Sequence, residues 1–411
     1  MALFVPAVSS AYKSINSALP DYDFLDTYPY ALYSVGHSGF ANHYPLTSAH
    51  RQMIIGDSGG YQIGTGKWKR DWKGRDKKTE ALVERVYNWL QHCDVHMTLD
   101  VPLWGLSVYD NMDHKDCVAA SKQNAIAFLQ SPKTVLNVMS GGDTLKESLY
   151  WLNEMAVFSD PNKERFFEGY SFSGLNVGSF AQTLFMLKTL YDKGCLTSAH
   201  KHIHMLGTGK LFQAWLYHIL NDVLKEVTGN ESFLITCDAA SSFLLTANAT
   251  YSTGYKIGHG ERFRILSSKD RLPKTNMSVY DYYENRNWTT TPVLKHYNLD
   301  NIVDGNGKYT PVFYDVFFNH NTRLANEAHY QLMLNYKTTC PEQFICDRVP
   351  QKHELFEHKP INAASLLYDE IHKYFTLPKK ENMTVFLNQI LKKISTVDGL
   401  LSPVEGVLEH V

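Results

Sequence analysis

Three aspartates stand at the same place in three short apolar runs: Asp57 in QMIIGDSGG (52–60), Asp100 in VHMTLDVP (95–102) and Asp238 in SFLITCDAA (232–240). A carboxylate at the end of an apolar strand is partly withdrawn from water. That environment moves its pKa toward general acid/base work and frees it for nucleophilic attack. One such aspartate is equally well explained as the cap of the next helix; three in one register are not. Other runs end in small residues: Ser140 and Gly141 in TVLNVMSGG (134–142), Gly174 and Leu175 in GYSFSGLNVG (169–178), and Leu206 in HIHMLGTG (202–209). Glycines there let backbone groups come close to a flat ligand. Ser58 adjoins the first aspartate, and Tyr61, four residues after it, offers a stacking face.

The elements that must position these residues follow from periodicity. With YALYSVG (30–36), seven strand-like runs alternate with helical patterns at 79–93, 116–130, 145–158, 180–194 and 211–227, each apolar at i, i+3, i+4 and i+7. Strand alternating with helix predicts a parallel sheet with crossover helices. The strand ends near Asp57, Asp100, Ser140, Gly174, Gly207 and Asp238 lie 43, 40, 34, 33 and 31 residues apart. That is one βα unit each time. The expectation is an α/β fold, a (β/α)8 TIM-like barrel over 1–320 with its chemistry at the strand ends; the eighth strand has no clear signal. Residues 241–310, polar and tyrosine-rich, are expected as an insertion of hairpins and loops. Helical patterns at 324–336, 362–375 and 381–395 form the expected C-terminal helical part, 321–411.

Composition narrows the class. The 411 residues are 44% hydrophobic and 20% charged, with a net charge of −2, which excludes a disordered, collagen-like or disulfide-scaffold chain. Six scattered cysteines suit a reducing compartment, and no signal-peptide pattern or run of 18 apolar residues is visible. A cytoplasmic protein with no membrane partner is expected. The near-zero net charge hides a concentration: GKWKRDWKGRDKK (66–78) carries Lys67, Lys69, Arg70, Lys73, Arg75, Lys77 and Lys78 against Asp71 and Asp76, with Trp68 and Trp72 interleaved. Cations and aromatics beside a candidate site suit phosphate contact and stacking on a displaced base. RFRILSSKDRLPK (262–274), with Arg262 and Arg264, is a second basic stretch.

In order along the chain, these motifs resemble those of the tRNA-guanine transglycosylase superfamily, over about residues 30–260. GDSGGYQ is similar to the family's DSGG(F/Y)Q block, FLITCDAA to the nucleophile segment, VMSGG to VQGG, GYSFSGLNVG to the glycine-leucine block and HMLGTG to LMGVG. The resemblance implies a pentosyltransferase in which Asp238 is the nucleophile and Asp57 the general acid/base. It also implies that Ser58, Tyr61, Asp100, Ser140, Gly141, Gly174, Leu175 and Leu206 contact the base. The chemistry implied is exchange of guanine for a free 7-deazaguanine through a covalent glycosyl-enzyme, with no cofactor, on a nucleotide flipped out of its stack.

Departures from the pattern point to the DNA-modifying branch, found in bacterial and phage systems. The arginine-bearing stretch that follows the nucleophile in the tRNA enzymes is TANATYSTG (246–254) here, with Ala247 and Thr250 at the arginine positions, and Ser140 replaces the purine-binding glutamine. The CxCxxC zinc cluster is also missing. Cys340, Cys346, His353 and His358 remain as candidate ligands of a structural zinc, although their C-x5-C spacing is wider than usual. DNA is therefore the expected polymer and tRNA the alternative. A homodimer or an accessory protein fits the superfamily's habit, and a non-catalytic binding subunit is the remaining reading. His92, His96, His202 and His204 are expected to be structural, and Cys237 to pack rather than react.

Overall fold

A computed structural model describes residues 2–8, 29–41, 46, 49–109, 111–178, 180–256, 264–338 and 363–376. The seven expected strands are present: β3 (Tyr30–Ser34), β4 (Met53–Asp57), β5 (Val95–Met97), β6 (Thr134–Ser140), β7 (Gly169–Ser173), β8 (His202–Met205) and β9 (Leu234–Cys237). All pair in parallel with their sequence neighbours. The eighth strand is the N-terminal segment, in two pieces, β1 (Leu3–Phe4) and β2 (Ala7–Val8). β1 pairs with β9 and β2 with β3, so one stretch of chain joins the two ends of the sheet. Between the pieces, Val5 N donates to Cys237 O at 2.7 Å, and Pro6 O accepts from Leu32 N at 2.9 Å. A proline without an N–H is tolerated here because the ladder needs only its carbonyl. The fold is the expected (β/α)8 type.

Side-chain alternation divides the strands into two faces. Val5, Leu32, Ile55, Val95, Met97, Leu136 and Val138 meet in the lumen. Their neighbours Phe4, Tyr33, Ile54, Met139, Phe172, Met205 and Cys237 pack outward beneath the helices. The helices start where polar caps dictate. Asp76 accepts from Thr79 N before Lys77–Leu90, and reciprocal capping boxes open His114–Phe128 and Leu145–Met155.

The insertion after β9 has a core of its own. Helix Ser241–Ala247 leads into an antiparallel hairpin, β10 (Tyr251–Lys256) and β11 (Arg264–Ser268), followed by short helices at Val279–Glu284 and Leu299–Ile302. Tyr251, Val279, Tyr283, Leu294 and Leu299 are buried together with Phe313 and Phe317. Helix Pro311–Asn335 spans both units, with Phe313 and Phe317 in the insertion's core and Ala325, Ala328 and Leu332 in the barrel's. The expected division at 320/321 thus falls inside one helix. Helix Ala363–Thr376 packs on the barrel helix Leu211–Thr228, in the place expected for 362–375. The pattern at 381–395 lies outside the described residues. Among those residues, no helix is long and apolar enough to cross a membrane.

Candidate active site

The C-terminal ends of the strands surround a cavity of about 390 Å³, within the roughly 300–1,000 Å³ usual for small-molecule sites. Asp57, Asp100 and Asp238 all line it, with Ser58, Tyr61, Gly174 and Leu206, as their motifs led one to expect. Met97, Val138 and Leu206 supply apolar wall. Two residues that no sequence motif singled out, His37 and Trp104, also line it.

Each carboxylate is held differently. Asp57 closes β4, half-buried, and its Oδ1 accepts from Gly59 N at 3.2 Å. Asp100 is buried where the loop after β5 passes the helix Gly60–Gly64. A methyl group at position 60 would overlap the Asp100 carboxylate, so the second glycine of DSGG is needed for that approach. Burial, and then the negative charge of Asp57, push the Asp100 carboxyl up to about 7. The fully buried Ser140 hydroxyl has no hydrogen bond of regular geometry, yet it lies near enough to Asp100 to favour the charged form slightly.

Asp238 is also buried, but its carboxylate is anchored. Oδ1 accepts from Gly207 N at 2.7 Å and faces His204 Nε2 at 3.1 Å. Oδ2 has no hydrogen-bond partner among the described residues. One oxygen is held and the other is open, a suitable state for a nucleophile. His204, expected to be structural, is thus brought into contact with the candidate nucleophile. The signal was its position: His202 and His204 are two apart on β8, so both face the lumen, next to Thr236 and Asp238 on β9. Cys237 packs outward, and burial raises its thiol pKa. His96 is buried between Gln91 and Ser131 as expected of a structural ring.

Other expected contacts fall differently around the cavity. The Ser58 hydroxyl donates to Thr98 O at 2.9 Å and ties β4 to the end of β5. Ser140 and Gly141 are buried and are not among the residues lining the cavity. Gly141 N donates to Ser173 O, and a Cβ on Gly174, whose φ is +63°, would press on the Gly141 backbone. Leu175 opens the turn Leu175–Gly178; its side chain is outside the described set. Tyr61 is 57% exposed and Trp104 39%, with ring centroids 5.9 Å apart at the mouth.

The basic segment borders a second cavity of about 750 Å³, lined by Trp68, Lys69, Arg70, Lys73 and Lys78 among others. Its residues divide into two groups. Lys67, Lys69, Arg70, Lys77 and Lys78 are exposed and make no ion pair among the described residues, and the Lys67 ammonium lies 5.9 Å from the Tyr61 ring. Lys73 pairs with Asp116, and Arg75 with Glu80 and Asn124. Trp72 also lines this cavity but is 2% exposed and belongs to the barrel's core, which corrects its reading as an open contact residue. Trp68 is half-buried, stacked on Phe40 and set against Gly59. Tyr61 and Trp104 are thus the exposed aromatic side chains at the mouth of the first cavity, and Trp68 lines the second. Arg262, and the zinc candidates Cys340, Cys346, His353 and His358, lie outside the described residues, as does the side chain of Arg264. Among the described residues no cluster of His, Cys, Asp or Glu is arranged to hold a metal. Compared with protein-family models and with curated proteins, the chain matches none.

Proposed function

We propose that the protein is a DNA-guanine transglycosylase, exchanging guanine in DNA for a free 7-deazaguanine such as preQ0. The observation that carries this reading is the convergence of Asp57, Asp100 and Asp238 on one base-sized cavity, with Oδ2 of Asp238 open. An unstacked nucleotide enters the cavity past Tyr61 and Trp104, whose rings border its mouth. Asp238 Oδ2 bonds to C1′ as the C1′–N9 bond to guanine breaks. The departing base takes its proton from the Asp57–Asp100 pair, in which burial keeps the Asp100 carboxyl protonated to about pH 7. The incoming base returns a proton to that pair from its own N9–H, bonds to C1′ and releases Asp238, so protons balance over the cycle.

DNA is favoured over tRNA by what occupies the expected anticodon-reading positions. Thr250 is buried with its carbonyl accepting from Asn321, and Ala247, exposed at the end of a helix, carries only a methyl group, so neither offers a hydrogen-bonding side chain to a loop of RNA. The five exposed cations of the segment that follows Tyr61 supply phosphate contacts. The test incubates purified protein with duplex DNA, total tRNA and radiolabelled preQ0 in parallel. Label in DNA alone is expected; label in tRNA alone overturns the choice of polymer, and label in neither overturns the exchange reaction.

A further inference from the structure

Inside the barrel, four buried polar side chains form a continuous hydrogen-bonded column ending on the cavity. His202 Nε2 lies 2.7 Å from Thr236 Oγ1, Thr236 Oγ1 lies 2.8 Å from His204 Nδ1, and His204 Nε2 lies 3.1 Å from Asp238 Oδ1. The two histidines and Thr236 are at most 4% exposed. A polar column buried inside a barrel is costly unless every group is satisfied. Satisfaction fixes the protons. An ionised carboxylate only accepts, so His204 Nε2 must donate to Asp238. In a neutral ring His204 Nδ1 then accepts from the Thr236 hydroxyl, whose oxygen in turn accepts from His202 Nε2–H. Burial keeps His202 neutral, lowering its pKa to about 3.

We infer that His204 is a positioning residue for Asp238, its Nε2–H tautomer set by that carboxylate and supported at Nδ1 by Thr236 and His202, and that it makes Asp238 the better leaving group of the second half-reaction. This rests on the reading of Asp238 as nucleophile. When Oδ2 bonds to C1′, Oδ1 becomes the carbonyl oxygen of an ester and still accepts from His204 and Gly207. When the incoming base attacks C1′, the C1′–Oδ2 bond breaks and its electron pair returns to the carboxylate. Negative charge then grows on Oδ1, where the two donors already point. The same donors slightly restrain Oδ2 in the first attack. Loss of His204 is thus expected to slow breakdown of the adduct more than its formation, an asymmetry that a general loss of structure does not produce.

Two measurements on the full-length protein test this. The first follows the covalent protein–DNA adduct through a single turnover in wild type, His204→Phe, Thr236→Val and Thr236→Ser. The expected result is an adduct that breaks down about 10–100-fold more slowly in His204→Phe and several-fold more slowly in Thr236→Val, with Thr236→Ser near wild type. Equal slowing of formation and breakdown, or unchanged breakdown in both His204→Phe and Thr236→Val, overturns the relay. Absence of adduct in wild type overturns instead the nucleophile reading on which it rests. The second measurement needs no turnover: 15N NMR of histidine-labelled protein, with His204 assigned by substitution. An Nε2–H, Nδ1-bare ring held by Asp238 is expected in wild type, with the Nδ1 resonance shifted in Thr236→Val, where the hydroxyl that donates to it is gone. An Nδ1–H or doubly protonated His204 overturns the assignment, as does an Nδ1 resonance unchanged in Thr236→Val.

Discussion

The Asp100 carboxylate lies against Gly60 so closely that a methyl group on the glycine would occupy its space. This contact joins two strand ends 40 residues apart in sequence and holds the second acid beside Asp57. Gly60→Ala is therefore expected to displace Asp100, with an overpacking cost of about 1–3 kcal/mol. Base exchange should fall far more than thermal stability. Paired melting and exchange assays check this; a variant that keeps its exchange rate would show that the spacing does not matter.

The Asp100 carboxyl, raised to about 7 from an ordinary 3.8, makes stability pH-dependent in an unusual direction. The unfolded chain loses this proton near pH 4 while the folded chain keeps it to about pH 7. Between those values the folded state binds more protons, so stability falls as pH rises. The loss is about 4 kcal/mol at most across the window. Asp100→Asn should flatten the slope between pH 4 and 7 in denaturant titrations. An identical slope in wild type and variant would place the proton elsewhere. The first half-reaction should also slow as pH passes 7, because the Asp100 proton is then lost.

The exposed and the paired cations should separate experimentally. Charge removal at Lys69, Arg70 or Lys78 should weaken DNA binding and reduce its salt dependence, by about 0.9 in log–log slope for each phosphate no longer neutralised. Arg75→Ala breaks its hydrogen bonds with Glu80 and Asn124, so it should lower the melting temperature and leave that slope unchanged. Binding isotherms at three salt concentrations, with a melt for each variant, decide the matter.

Closure of the barrel depends on residues 3–8. Val5 is fully buried in the lumen, and Val5→Asp places an unpaired charge there. The expected outcome is loss of the cooperative unfolding transition, read by circular dichroism; Val5→Ile should retain it. A normal melt for Val5→Asp would mean that the N-terminal segment is not needed to close the sheet.

Much of this arrangement is legible in the sequence because it depends on repetition. Six strand ends spaced 31–43 residues apart, one βα unit each time, fall on one rim, so three aspartates at strand ends have to converge. What escapes a reading of the sequence depends on single contacts between distant segments. The β1–β2 segment is short, broken by Pro6 and followed by no helical pattern, so neither periodicity nor spacing marks it. Trp72 is misleading because flanking lysines suggest a solvated loop, whereas the chain turns it inward. His202 and His204 look like ordinary buried rings. Only the pairing of β8 with β9 places Thr236 between them and brings His204 to Asp238. Trp104 sits in an apolar stretch that gives no reason to expect it at a cavity mouth.

The most direct test of the account is the location of the covalent bond. Protein incubated with duplex DNA, quenched in denaturant and digested with nuclease and protease, should yield one peptide carrying a deoxyribosyl group on Asp238, absent from Asp238→Ala. That variant should still bind DNA while exchange falls below detection. A modified residue other than Asp238, or exchange that persists in Asp238→Ala, would contradict the account.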